Sequence, residues 1–232
     1  MTFSIDTSLF DLFPDLKIGV LVCRVDNTRY GEDVLESALE RLRAGFGFEK
    51  AQDHPHVQAW RQAFAALGMS PSKYQSSVES LVRRALKGGV FPRVNPLVDL
   101  YNAVSLEFLV PMGGHDLAPL EGDIVLGFAE GTEPFTPLEG GEEEIVEKGE
   151  VTYRDRRSVL TRRWVWRQSR KDKVTTETTS VFMPIDVLGG LSPDLPGAVM
   201  ERVARYFEEN RTGKIVASDV LTSRNTSMDF AF

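Results

Sequence analysis

The chain has 232 residues, 42% of them hydrophobic and 26% charged, with a formal net charge of −7. That length is ample for one large domain with a real core, and no apolar run approaches the ~20 residues that a bilayer span requires, so no membrane partner is expected. The negative balance argues against a protein that coats duplex DNA through many phosphate contacts, and the single cysteine excludes an internal disulfide and a cysteine-rich zinc site.

Met1–Phe13 carries acids at Asp6 and Asp11 and no basic region, so it does not read as a secretory leader, and the expected compartment is the cytoplasm. Leu16–Cys23 reads as a first strand, buried through the continuous apolar run Ile18–Cys23, with Cys23 as a core thiol rather than a nucleophile. Leu35, Leu39, Leu42 and Phe46 recur at helical spacing and predict a helix over Asp33–Phe46. Val57, Trp60, Phe64 and Leu67 predict a second helix, stopped by Gly68. Val78, Leu81, Val82, Ala85 and Leu86 predict a third, ended by Gly88-Gly89. A fourth follows Asn95-Pro96 through Leu97, Tyr101, Val104 and Phe108, with proline suited to its first turn. Gly and Pro then recur from Pro111 to Gly141 around a short strand, Ile124–Phe128. The Glu-rich stretch from Glu139 to Glu150 reads as a solvated loop or as protection of a sheet edge. Val159–Gln168 and Val174–Met183 are rich in β-branched and aromatic residues and predict a long hairpin around the polar turn Ser169–Lys173. Val199, Val203, Tyr206 and Phe207 mark a late helix, and Lys214–Leu221 a final strand. Helices and strands are partly segregated, which favours an α+β fold, and no clean linker divides residues 1–232.

The chain carries no G-x-S-x-G elbow, no phosphate-binding GxxxxGK[ST] loop and no HExxH. His54-Pro-His56 could be half of a metal site, but with no third ligand nearby the pair reads better as decoration of a helix N-terminus, and neither metal nor cofactor is expected. Nine basic residues crowd Arg154–Lys173, opposed only by Asp155 and Asp172. In the hairpin reading, strand alternation puts Arg163 and Arg167 on one face and Trp164 and Trp166 on the other. Cations beside exposed aromatics suit single-stranded RNA. The alternative is that the tryptophans are core and the arginines solvate the outside. Asn95, Asp99 and Asn102, spaced i, i+4, i+7, would share one face of an otherwise apolar helix, either lining a pocket or fixing neighbouring backbone.

These residues carry a resemblance. Arg93, Asn95, Val98, Asp99, Asn102, Glu107, Pro111 and Asp116 fall in register with a motif of the B3/4 domain of the phenylalanyl-tRNA synthetase β subunit. Ser77–Leu86 resembles the helix that precedes the motif there. Pro71-x-Lys73-Tyr74-x-x-Ser77, Asn95–Asn102 and Arg162-Arg163-Trp-Val-Trp166-Arg167 resemble free-standing members of the family. The likeness spans roughly residues 60–186. It implies an α+β fold with a β-sandwich-like core of unusual topology flanked by helices, and no cofactor. In the synthetase this domain hydrolyses tyrosine wrongly attached to the phenylalanine tRNA, using pocket exclusion where the synthetic site cannot discriminate. Two positions depart from the family. The histidine two residues after the proline is replaced by Gly113, with His115 two positions further on, and near the place of a pocket glutamate stands Pro184, with Asp186 the nearest acid.

The resemblance makes tRNA or aminoacyl-tRNA the expected partner and a small amino-acid-like compound the expected ligand. In an editing hydrolase His115 and Asp186 would orient or activate water. Asn95, Asp99, Asn102, Gly113 and Gly114 would shape the pocket, and Arg162, Arg163, Arg167, Arg170 and Lys171 would meet the RNA. A binding module without chemistry and a small-molecule protein unrelated to tRNA are the alternatives, since fold does not fix function.

Overall fold

The helices form where apolar residues recur every three to four positions behind a residue able to cap the first turn. In the computed structural model, which describes residues Met1–Phe232, a short α1 (Ser8–Leu12) precedes five longer helices: α2 (Val34–Gly45), α3 (Pro55–Ala66), α4 (Ser77–Leu86), α5 (Pro96–Phe108) and α6 (Leu195–Asn210). Asp33, His54, Ser76 and Asn95 accept a first-turn backbone N–H at the starts of α2 to α5, and Pro55 and Pro96 occupy first-turn positions where no N–H is needed. α5 is buried from Pro96 to Leu106 except at Asn102, and it packs against α2, α4 and α6. No helix is long and apolar enough to cross a membrane.

The strands are β1 (Thr2–Ile5), β2 (Lys17–Val25), β3 (His115–Asp116), β4 (Ile124–Phe128), β5 (Pro134–Phe135), β6 (Glu144–Ile145), β7 (Val151–Arg154), β8 (Val159–Arg162), β9 (Arg167–Gln168), β10 (Ser180–Val187), β11 (Gly213–Leu221) and β12 (Ser227–Asp229). One sheet runs β12-β1-β4-β7-β8-β9, a second runs β11-β2-β10-β3, and β5 and β6 make a small ribbon. Only β1 and β4 pair in parallel. The two large sheets meet through aromatic side chains: Phe3 of β1 lies 4.9 Å from Phe182 of β10 and 5.9 Å from Tyr153 of β7, measured between ring centroids. On the far side of the second sheet α6 comes close to β2 at Gly19, where a Cβ would stand 3.2 Å from Met200 Sδ and 3.3 Å from Pro196 Cβ. The fold is α+β, and one hydrophobic cluster runs from Phe3 to Phe230. Cys23 lies in its middle, and burial pushes the thiol up to about 12.

Three expectations need correction. The long hairpin does not form. β8 turns back on β9 within four residues, and β10 leaves for the other sheet. The turn breaks the strand because Arg163 (φ 47°) and Trp164 (φ 64°) are left-handed, so alternation cannot be read through it. The second strand begins late, at Ser180, because the threonines before it make a local turn in which Thr178 accepts from Thr175 N and donates to Asp116. It then continues past Pro184 in mid-sheet. That proline is tolerated because its nitrogen faces the Pro111–Gly113 segment, the side on which Asp186 N donates to Pro111 O.

The glutamates, finally, are more than a solvated loop. Arg162 is buried and donates from Nε and Nη2 to both oxygens of buried Glu150 and from Nη1 to Glu144. Arg163 pairs with Glu147 and Arg167 with Glu139. A bidentate, buried pair is costly to break on one side only. Arg162→Met is therefore expected to lower the unfolding free energy by about 3–5 kcal/mol. Arg162→Met/Glu150→Leu should recover much of that loss in chemical denaturation.

Candidate active site

β10 presents alternate residues to the space between the sheets, so Phe182, Pro184 and Asp186 share a face. His115 of β3 stands opposite Phe182 in the register and joins that face. The segment Pro111–Gly114, the β8–β9 turn, Ser77 and Asn102 complete a cleft of about 230 Å³. Pockets for drug-sized ligands run to roughly 300–1,000 Å³, so this one suits a ligand of amino-acid size.

His115 is 3% exposed, and its Nδ1 meets Oδ2 of fully buried Asp172. The same oxygen accepts from Gln168 Nε2 at 3.1 Å, and Gln168 also donates to Gly114 O at 2.8 Å. With the shared proton on Nδ1, the imidazole keeps its lone pair on Nε2. Asp172 Oδ1 is buried without a hydrogen-bond partner. Asp186 receives Tyr153 Oη–H and Trp164 Nε1–H, both at 2.8 Å and both on Oδ1, so Oδ2 has no protein donor. Burial pushes Asp186 up to about 6, while the bonds from Trp164 and Tyr153 and the nearness of His115 hold it down. Tyr153 stands between the two groups. Its ring centroid is 5.8 Å from that of His115 and its hydroxyl binds Asp186. No hydrogen bond links His115 directly to Asp186.

Among the residues expected to form the site, Asn102, Gly113, Gly114, His115, Asp186 and Arg167 line this cleft. At Gly113 nothing lies within 4 Å of a would-be Cβ, so the position opens into free space, whereas a Cβ at Gly114 would press on Tyr101 at 3.1 Å. Asn95 and Asp99 do not reach the cleft. Asn95 precedes the helix with extended backbone (φ −162°), so helical periodicity cannot be counted from it. Its side chain caps α5 through Val98 N, donates to Val174 O and accepts from Asn27. Asp99 accepts from Val94 N beside Arg93, and burial raises its carboxyl above the ordinary range. These two fix backbone. Arg162, Arg163, Arg170 and Lys171 also lie outside the cleft lining. Lys171 is held by Asp155, and Arg170 is exposed with no ion pair. Trp164 is fully buried against Trp60, while Trp166 is half-buried at the cleft.

Residues the sequence did not single out for this site are Asp172, Tyr153 and Gln168. The one available signal was Asp172 itself, an acid inside a basic run. The histidine pair is spoken for: His54 Nδ1 accepts from His56 N, and His56 Nδ1 lies 3.2 Å from the carbonyls of both Phe108 and Leu109. No three His, Cys, Asp or Glu side chains converge as a metal site.

Two outcomes follow. An acid raised by folding binds more protons folded than unfolded between about pH 4 and pH 6. Its contribution to stability is full below about pH 4 and is lost as pH rises through about 6. Denaturant titrations at pH 4 and pH 7 should show Asp186→Asn gaining on the parent by up to about 3 kcal/mol across that interval. Asn95→Ala removes a helix cap, leaves Val174 O without its donor and takes one acceptor from Asn27, which keeps Thr175 O, and should cost about 2–4 kcal/mol in the same assay.

The B3/4 domain model matches residues 59–209. No curated protein matches the chain. Among solved structures the chain is similar to an N-terminal fragment of the phenylalanyl-tRNA synthetase beta-subunit from Pyrococcus horikoshii, with a TM-score of 0.44 and 16% identity over 94% of this chain and 49% of that one. The chain thus spans about half the length of that fragment. The family match takes in most of the sequence and every residue that lines the cleft, from Ser77 to Asp186. The chain belongs to the B3/4 domain family.

Proposed function

We propose that this protein hydrolyses the ester joining an amino acid to the terminal ribose of a tRNA. The observation that carries the reading is the convergence of two separately supported groups, His115 on Asp172 and Asp186 on Tyr153 and Trp164, on one cleft of amino-acid size. Membership of the B3/4 family supports the choice of a tRNA-linked ester as substrate. In this reading the amino acid enters the cleft, with Asn102 and the open backbone at Gly113 shaping its room. A water attacks the ester carbonyl carbon and passes its proton to His115 Nε2. Asp172 stabilises the imidazolium that results, as a buried carboxylate does for a general base. The tetrahedral intermediate expels the ribose oxygen, which takes the proton back, giving free amino acid and deacylated RNA. Asp186, with its unpartnered Oδ2, orients the water or receives the substrate's ammonium group. Arg167, half-buried at the cleft, and exposed Arg170 are the basic residues of the β8–β9 region best disposed toward RNA in this reading.

A second reading, binding without turnover, is favoured by one feature: Tyr153 separates His115 from Asp186, so no hydrogen-bonded relay joins them. A panel of mischarged tRNAs decides between the two. Hydrolysis of at least one is expected, and His115→Ala should slow it by about 10²–10⁴-fold, the range for loss of a general base. Ionisation of Asp186 should contribute a rise in rate with pH through about 6, and Asp186→Asn should remove that contribution while leaving any rise that belongs to the base His115. tRNA retained on the protein with no deacylation across the panel would establish the binder instead.

A further inference from the structure

The cations of the β8–β9 region are largely neutralised, since Arg162, Arg163 and Arg167 sit against Glu150, Glu147, Glu144 and Glu139. A different set is not. Lys73, Arg83, Arg84 and Lys87 are exposed and have no ion-pair partner. All four lie on or beside α4, and α4 begins at the cleft. Ser77, its first residue, lines the cleft and is fastened to the β8–β9 turn by Ser77 N donating to Val165 O at 2.8 Å.

The exposed face of α4 is continuous. Ser77, Ser80, Arg83, Arg84 and Lys87 are its solvent positions, while Val78, Glu79, Val82 and Ala85 are buried. At 1.5 Å per residue, Arg84 lies about 10 Å and Lys87 about 15 Å along the helix axis from Ser77. The one acid near the start of the helix, Glu79, is buried and held by Arg61. At the far end Arg43 of α2 donates to Ala85 O and Gly89 O, adding a further cation beside the helix C-terminus. At the near end stands an aromatic step. Half-buried Trp166 lines the cleft and meets Tyr74 edge-on at 4.9 Å, and the Arg163 guanidinium lies 4.1 Å over the Tyr74 ring. A flat ring at a pocket mouth, followed by a row of unpaired cations on an otherwise acidic protein, is the arrangement that takes a base and then a phosphate backbone.

We propose that the single-stranded end of an RNA enters over Trp166 and that its backbone runs along α4 against Lys73, Arg83, Arg84 and Lys87. This rests on the ester-hydrolase reading for the direction of entry, because the acylated end must reach the cleft, and it places the main phosphate contacts on α4 rather than on the arginine-rich turn.

The test is the affinity of the full chain for deacylated total tRNA, measured from 50 to 300 mM salt. The variants are Arg83→Glu/Arg84→Glu/Lys87→Glu and a charge-matched control, Arg211→Glu/Lys214→Glu/Arg224→Glu, at exposed positions away from the cleft. Loss of single-strand phosphate contacts lowers the slope of log K against log salt by about 0.7 each, so the α4 variant should lose about 2 in slope and at least about tenfold in affinity at low salt. The control should keep the slope of the parent. Should the reversed α4 variant fail to fold, the corresponding glutamine triple serves in its place, with the same loss of slope expected. Parent-like affinity and slope in the α4 variant, an equal loss in the control, or no tRNA binding by the parent would overturn the proposal. Deacylation of mischarged tRNA by the parent is scored separately. Its absence beside α4-dependent binding would remove the hydrolase and leave the RNA path standing.

Discussion

A carboxylate with almost no access to water must be held by donors or be neutral, because an unpaired charge between two sheets costs several kcal/mol. Asp186 meets that constraint with two neutral donors fixed far away in the chain. Tyr153 reaches it from the opposing sheet. Trp164 reaches it from a turn that exists only because two consecutive residues take left-handed backbone. That turn is itself anchored: Trp164 packs on Trp60 of α3 and on Phe13, and the arginines before it are locked by Glu144, Glu147 and Glu150. The register of β10, the angle of α3 and the path of the acidic loop all converge on the placement of one acid.

The two groups of the cleft are supported differently. Asp186 belongs to a central strand of eight residues paired along its whole length with β2. His115 belongs to a two-residue strand at the edge of the same sheet, and it depends on Asp172 and Gln168 for its orientation. Distinct environments for two titratable groups at one cleft are how a fold keeps a proton acceptor and a second acid in separate roles.

Helices α2 to α5 were legible because each carries a one-sided apolar stripe with a cap before it, as in Leu35, Leu39 and Leu42 behind Asp33 or Val78, Val82 and Ala85 behind Ser76, and α6 was legible from its stripe alone, while the five residues of α1 are too few to show one. The buried strand around Cys23 was legible from its unbroken apolar run, and the residues that carry the B3/4 resemblance pointed to the segment that runs from α5 to His115. β1 and β12 were not legible. Four and three residues carry no periodicity, and their pairing joins the two ends of the chain. The hairpin failed because alternation in sequence says nothing of a left-handed turn within it. In the candidate site Asp172 was hidden because its basic neighbours suggested a counter-ion, while its partner His115 lies 57 positions away. The basic run was misleading for the same reason, since Arg162 and Arg163 find their acids 12 to 18 residues upstream.

Cys23 has a use that its chemistry alone does not suggest. It is the chain's only thiol, it sits on the strand flanked on both sides by β10 and β11, and burial leaves it protonated well beyond physiological pH. A thiolate is what an alkylating reagent attacks, so the folded molecule is silent to such reagents and reacts only when the middle of the second sheet comes apart. The protein thereby carries a native clock for its own global opening, read at one position and requiring no introduced label, against which the looser opening of edge elements such as β3 can be timed.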